Sequence, residues 1–198
     1  MTEASSGDVS SSLGASSARE AGRDAPEPTE EKFSDEDLQK SAMAFGLDYN
    51  NLLLKRRALE EKMKLPEWET LTHVQRFEAY TVDVIIKVSY NKVNSWSSLR
   101  SININEARKL SLSMAFHGIL EQNITIARLG GGGLAVDKLW LVDGAHRFLA
   151  ITFLVESKAP EMEKFTLANT LLPVKICLPE LPRALAVEYG NSKNFTNT

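Results

Sequence analysis

The chain has 198 residues, of which 43% are hydrophobic and 25% charged, with a formal net charge of −3. That size and balance fit one soluble globular domain with tails, and no apolar run approaches the roughly 20 residues needed to cross a bilayer. The single Cys177 forms no internal disulfide and the polar, acidic start is no signal peptide, so a cytoplasmic or nuclear location is expected. Charge is unevenly spread: residues 1–40 carry ten acids and four bases, while residues 41–198 carry 16 acids and 19 bases. A faintly basic body suits an anionic small ligand. It lacks the concentrated basic stripe of a dedicated nucleic-acid binder, which leaves nucleic-acid binding unsupported.

Residues 1–33 are rich in Ser, Ala, Gly, Glu and Pro and are expected to form a disordered tail, because they bury too little to offset the entropy of ordering. Ser34 before Asp35, Glu36 and Asp37 reads as the cap of a short helix ending at Phe45-Gly46. Asp48 caps a second helix, in which Leu52, Leu53, Leu59 and Met63 recur near helical spacing until Pro66 stops it. Lys55, Arg56 and Arg57 read as a solvated face. Residues 34–78 are thus a helical N-terminal extension, and the compact core is expected to begin at Ala79.

Tyr80, Val82, Val84, Ile86 and Val88 alternate with Thr81, Asp83, Lys87 and Ser89, which predicts a half-buried strand. A polar segment with Trp96 and Arg100 leads to Asn105, read as the cap of a helix over Glu106–His117 that stops at Gly118. Ile119–Leu129 holds a second strand, and a Gly-rich loop at 130–133 joins it to a third, Lys138–Val142. A helix from Ala145 to about Ser157, a strand Pro173–Leu178 and a helix Arg183–Asn194 complete the chain. The fold class is α+β: a small mixed sheet with packed helices over residues 79–198.

Leu141–Phe148 carries the chemistry. An apolar strand breaks at Asp143-Gly144 and restarts as a helix whose first turn holds His146 and Arg147. Free backbone amides and a positive helix end at one point form an anion cradle. The blander reading is a tight turn whose Asp caps the helix. Elsewhere the bland readings lead. Gly130–Gly133 lacks a following Lys-Ser/Thr and reads as a hairpin loop. Cys177, Trp68 and Trp140 read as packing residues, His73 as a surface residue and His117 as a helix-end cation. The three His are too scattered for zinc. Trp96 is the one Trp worth testing as a base stacker.

Three segments in this order resemble the ParB/sulfiredoxin superfamily: Ala107–Ile126, Leu139–Ala150 with its Asp-Gly-x-His-Arg, and Pro173–Asn194. The resemblance implies that the turn takes the triphosphate of ATP or CTP with Mg²⁺. Gly144 would let the chain approach the phosphates, Arg147 would supply a bidentate fork, and His146 a donor. Asp143 matches the acid/base of the family's Asp-Gly-His-His-Arg kinases, which phosphorylate free serine. Asn191 and Asn194 fall near the family's Asn on the triphosphate and metal side, with no direct metal ligand assigned. The helix carrying Ser113 and His117, with the loop after Gly118, would form the opposite wall.

Departures from the family are specific. Ala145 stands where sulfiredoxins carry their catalytic Cys, and also where the chromosome-partitioning branch carries Glu. That branch's Glu-Asn pair reads Gly190-Asn191 here, and no helix-turn-helix region is visible before Thr198. The expectation is a nucleotide-binding domain, an NTPase or small-molecule phosphotransferase if it is an enzyme, with Asp83 and Glu106 as candidates for a second carboxylate. The alternatives are a non-catalytic nucleotide-gated or nucleic-acid-binding module, and a degenerate interaction domain.

Overall fold

The computed structural model describes residues 33–95, 102–120, 122, 124–130, 136–157, 159–166 and 169–195. The tail at 1–32, Trp96, Arg100 and most of the Gly-rich loop lie outside the described residues. Among the described residues the α-helices are α1 (Asp35–Phe45), α2 (Tyr49–Met63), α3 (His73–Tyr80), α4 (Ile104–His117), α5 (Ala145–Glu156) and α6 (Arg183–Phe195). Five strands are β1 (Thr81–Ser89), β2 (Val93–Asn94), β3 (Thr125–Leu129), β4 (Leu139–Asp143) and β5 (Leu171–Cys177). They form one mixed sheet in the order β1-β5-β3-β4-β2, antiparallel at β1–β5 and β3–β4 and parallel at β5–β3 and β4–β2. The α+β expectation is met. No helix among the described residues is long and apolar enough to cross a membrane.

Local chemistry sets the helix ends. The Ser34 hydroxyl accepts from the Asp37 N–H at 3.0 Å while the Asp37 carboxylate accepts from the Ser34 N–H at 3.3 Å, and Gly46 closes α1 at φ 64°. Asp48 caps α2. Thr72 and Gln75 make a second capping box that opens α3, a helix the sequence pattern passes over because eight residues carry too little periodicity. The cap of α4 is Asn103, not Asn105: its Oδ1 accepts from the N–H groups of Asn105 and Glu106 at 3.0 and 3.3 Å. Asn103 has extended backbone, as an N-cap requires, whereas Asn105 already lies within the first turn.

The solvated-face reading of α2 fails at Arg56. Its side chain is 6% exposed, with Nη1 2.7 Å from Asp35 Oδ1 and Nη2 2.6 Å from Glu180 Oε1. A guanidinium has five donors in a fixed fork, so one buried Arg can join α1 to the segment after β5. Lys55 is half-buried and Arg57 exposed.

Buried apolar residues form one cluster that runs from Phe33 to Ala186 and includes Leu38, Leu52, Leu59 and Phe77. The core thus takes in residues ahead of Ala79, where the alternating pattern placed its start. Phe77 of α3 stacks on Tyr189 of α6, ring centroids 3.6 Å apart and planes 8° from parallel. β3, β4 and β5 are buried along nearly their whole length, and α4 packs along α5. This rigid centre carries the β4–α5 turn.

Candidate functional site

β4 is buried over Leu139–Val142, as an interior strand of apolar residues should be, and ends at the half-buried Asp143. The next residue, Gly144, turns the chain at φ 100°, ψ 25° and is the N-cap of α5 with no side-chain cap. A Cβ at this position would lie 3.1 Å from Thr125 Oγ1 and 3.0 Å from Arg147 Nη2. Both the left-handed backbone and the close approach therefore call for glycine. The first-turn amides of α5 have no intrahelical acceptors, and the dipole end there is positive.

Around this point stand four side chains, Asp143, Arg147, Thr125 and His146. Arg147 folds back over Gly144, with Nη2 3.8 Å from Asp143 Oδ2; the two side chains are 31% and 17% exposed. That separation is at the outer limit of an ion pair and leaves the guanidinium loosely held. Arg147 Nε is buried without a hydrogen-bond partner among the described residues. So is the hydroxyl of Thr125, a β3 residue only 1% exposed. Leaving a buried donor unsatisfied costs on the order of 1–3 kcal/mol, which marks the spot as unusual for a merely structural turn.

His146 accepts at Nε2 from the backbone N–H of Asn103, 3.0 Å away. This bond needs a neutral ring with its proton on Nδ1. It also has a geometric result: Asn103 is the cap of α4, so the N-terminal ends of α4 and α5 meet at the turn and their positive dipole ends add.

The structure brings Asp143, Gly144, His146 and Arg147 together, and adds Thr125 and Asn103, which sequence reasoning missed. Thr125 had one faint signal, a lone hydroxyl between the apolar Ile124 and Ile126. Glu106 lies in the first turn of α4, its carboxylate 3.2 Å from Lys109. Asp83 is exposed on β1, separated from β4 by β5 and β3. Asn191 is exposed on α6, and no hydrogen bond among the described residues joins it to the turn; Asn194 lies in the same helix. Ser113 and His117 are exposed toward the far end of α4, about 15–20 Å along the helix from Asn103 at 1.5 Å per residue, while the N-terminus of the same helix stands at the turn.

No group of three or more His, Cys, Asp or Glu among the described residues is arranged to hold a metal ion. Cys177 is fully buried on β5, and burial pushes its thiol up to about 12, which leaves it protonated and unreactive at neutral pH.

No protein-family model matches the chain, and no curated protein matches it in sequence. Among solved structures it is similar to the crystal structure of the C-terminally truncated chromosome-partitioning protein ParB from Caulobacter crescentus complexed with CTP-gamma-S. The identity is 15%, the TM-score 0.42, and the match covers 58% of this chain. The chain spans about half of that protein, 54%. At that identity and score the likeness adds nothing to the geometry.

Proposed function

We propose that the chain binds the phosphates of a nucleoside triphosphate, ATP or CTP, at the Asp143–Arg147 turn. One observation carries the reading: an uncapped helix N-terminus at Gly144 is flanked by two buried donors, Thr125 Oγ1 and Arg147 Nε, that meet no partner among the described residues. A phosphate oxygen at the turn accepts from the first-turn amides, including that of His146, and draws Arg147 off Asp143 into a bidentate grip. The α4 N-terminus, held there by His146 and Asn103, adds to the positive potential.

Mg²⁺ fits this site only as an ion carried by the phosphates, since Asp143 is the one carboxylate in the turn. Such ions keep most of their shell from water and phosphate, and supply charge neutralisation to phosphoryl transfer. In a transferase Asp143 would take the proton of the attacking hydroxyl. Asn191 and Asn194 remain candidates for the metal side.

Binding without turnover is a second reading, and the carboxylate geometry favours it. Phosphotransfer of this kind calls for a second acid, yet Glu106 is engaged by Lys109 and Asp83 lies beyond two strands.

Calorimetry with ATP and CTP in Mg²⁺, on the whole chain, tests the proposal. Wild type is expected to bind, and Arg147→Ala to bind at least about tenfold more weakly, as loss of a charged bidentate hydrogen bond predicts. No binding by wild type ends the reading, and unchanged binding in Arg147→Ala moves the cradle elsewhere. Turnover with free serine as acceptor then separates the transferase from the non-catalytic module.

A further inference from the structure

A second, chemically distinct cavity lies at the other end of α4. It has a volume of about 440 Å³, within the range of small-molecule sites. Gly118, the residue after α4, lines it, whereas Asn103 at the opposite end touches His146. Fourteen residues of helix separate the two, about 20 Å at 1.5 Å per residue, and no residue of the Asp143–Arg147 turn contributes to the lining.

The charged groups among the described lining residues are both cations. Lys87 comes from β1 and Lys164 from the loop before β5, and no carboxylate is among the described lining residues. Lys164 Nζ donates to the Ala115 carbonyl at 2.9 Å. That bond fixes the ammonium in place and quenches a carbonyl of the α4 C-terminus, which would otherwise repel an anion. An ammonium has three protons, so further donors remain. The Asn169 side-chain oxygen accepts from the Thr166 N–H at 2.8 Å, so its amide NH₂ is the end left to face a ligand.

Thr170 supplies the independent sign of a ligand. It is 2% exposed and lines the cavity, and its Oγ1 meets no hydrogen-bond partner among the described residues. The Thr170 backbone is fully engaged, its N–H with Thr166 at 3.0 Å and its carbonyl with the Tyr90 N–H at 2.9 Å. The hydroxyl is thus held in position by a rigid backbone and left unsatisfied, at a cost a ligand acceptor would remove. Ile119 and Phe165 give the cavity apolar walls.

We infer that this cavity binds a small organic anion, with a carboxylate or phosphate head between Lys87, Lys164 and Thr170 and an apolar body against Ile119 and Phe165. Two cations with no carboxylate among the described lining residues select for negative charge, and the apolar walls select against a bare inorganic ion.

Titration of the whole chain with phenylacetate, phenyl phosphate, inorganic phosphate and benzyl alcohol, followed by calorimetry or protein NMR, tests this. At least one of the two aryl anions is expected to saturate with Kd below about 1 mM. Lys87→Gln and Lys164→Gln should each weaken it at least about fivefold, and Thr170→Val should weaken it while leaving the melting temperature unchanged or raised. Arg147→Ala should leave it unchanged, which keeps the outcome separate from that of the nucleotide reading. The inference is overturned if neither aryl anion saturates below about 5 mM, or if the lysine variants bind as wild type does. Benzyl alcohol binding as tightly as the anions would remove the charge selection, and inorganic phosphate matching phenyl phosphate would remove the apolar subsite.

Discussion

Gly144 and Thr125 set the character of the turn one atom at a time. With φ at 100° and contacts of 3.0 and 3.1 Å waiting for a β-carbon, Gly144→Ala should cost about 1–3 kcal/mol of stability, read as a drop in the urea midpoint. An unchanged midpoint would show that the turn relaxes freely. Thr125→Val makes the opposite trade. Removing a buried hydroxyl without a partner should stabilise the fold by about 1 kcal/mol, and should at the same time weaken nucleotide binding. A stabilised variant that binds nucleotide as wild type does would reduce Thr125 to a packing residue. At this scale much was legible: Asp143, Gly144, His146 and Arg147 are contiguous in sequence, so a strand-to-helix break reveals them together. Thr125 and Asn103 were not, because their roles arise from the β3–β4 register and the packing of α4 on α5, which no local pattern encodes.

Arg56 shows how one side chain can belong to three elements. Capping residues let both ends of α1 and the start of α2 be read from sequence, yet a basic residue on an amphipathic helix reads as exposed until its partners are known. Asp35 lies near in sequence, but Glu180 lies far along the chain. Burial pushes the Glu180 carboxyl above its ordinary range, and Arg56 pulls only part of the way back. A folded-state pKa raised above the unfolded one means that the folded protein binds the proton more tightly. The cost of the half-buried carboxylate is present above that pKa and is relieved as pH falls through it. Wild-type stability minus that of Glu180→Gln should therefore rise on acidification into the range just above ordinary carboxylates, then level off. Denaturant titrations at a series of pH values check this; a difference that falls on acidification would contradict the assigned burial.

Across the whole molecule, α1 and α2 are part of the core. Leu38, Leu52 and Leu59 are 0%, 1% and 3% exposed in the cluster that also holds the sheet. Burying each contributes about 1.5–3 kcal/mol, and together they approach the 5–15 kcal/mol of a whole domain. A fragment of residues 79–198 is accordingly expected to lose its cooperative thermal transition; a sharp calorimetric transition in that fragment would establish the helical segment as a true appendage. The fold class was legible because strand and helix periods alternate cleanly after Ala79. What the first helices pack on was not, since sparse leucines show a face but not its partner.

The strand order also dictates a timetable. Among the described strand pairs only β3–β4 closes locally, Leu129 opposite Leu139. β1 pairs with β5 through Ile86 and Val174, and β3 with β5 through Thr125 and Val174, both across long stretches of chain. Long closures lose entropy before contacts compensate, which slows folding into the millisecond-to-second range, about where non-local β proteins lie. The β3–β4 hairpin and α5 should form first, so Thr125 meets Gly144 early and β1 docks last. Stopped-flow refolding should then be slowed by weakening Leu139 and hardly touched by weakening Val88: the turn is built before the sheet that encloses it.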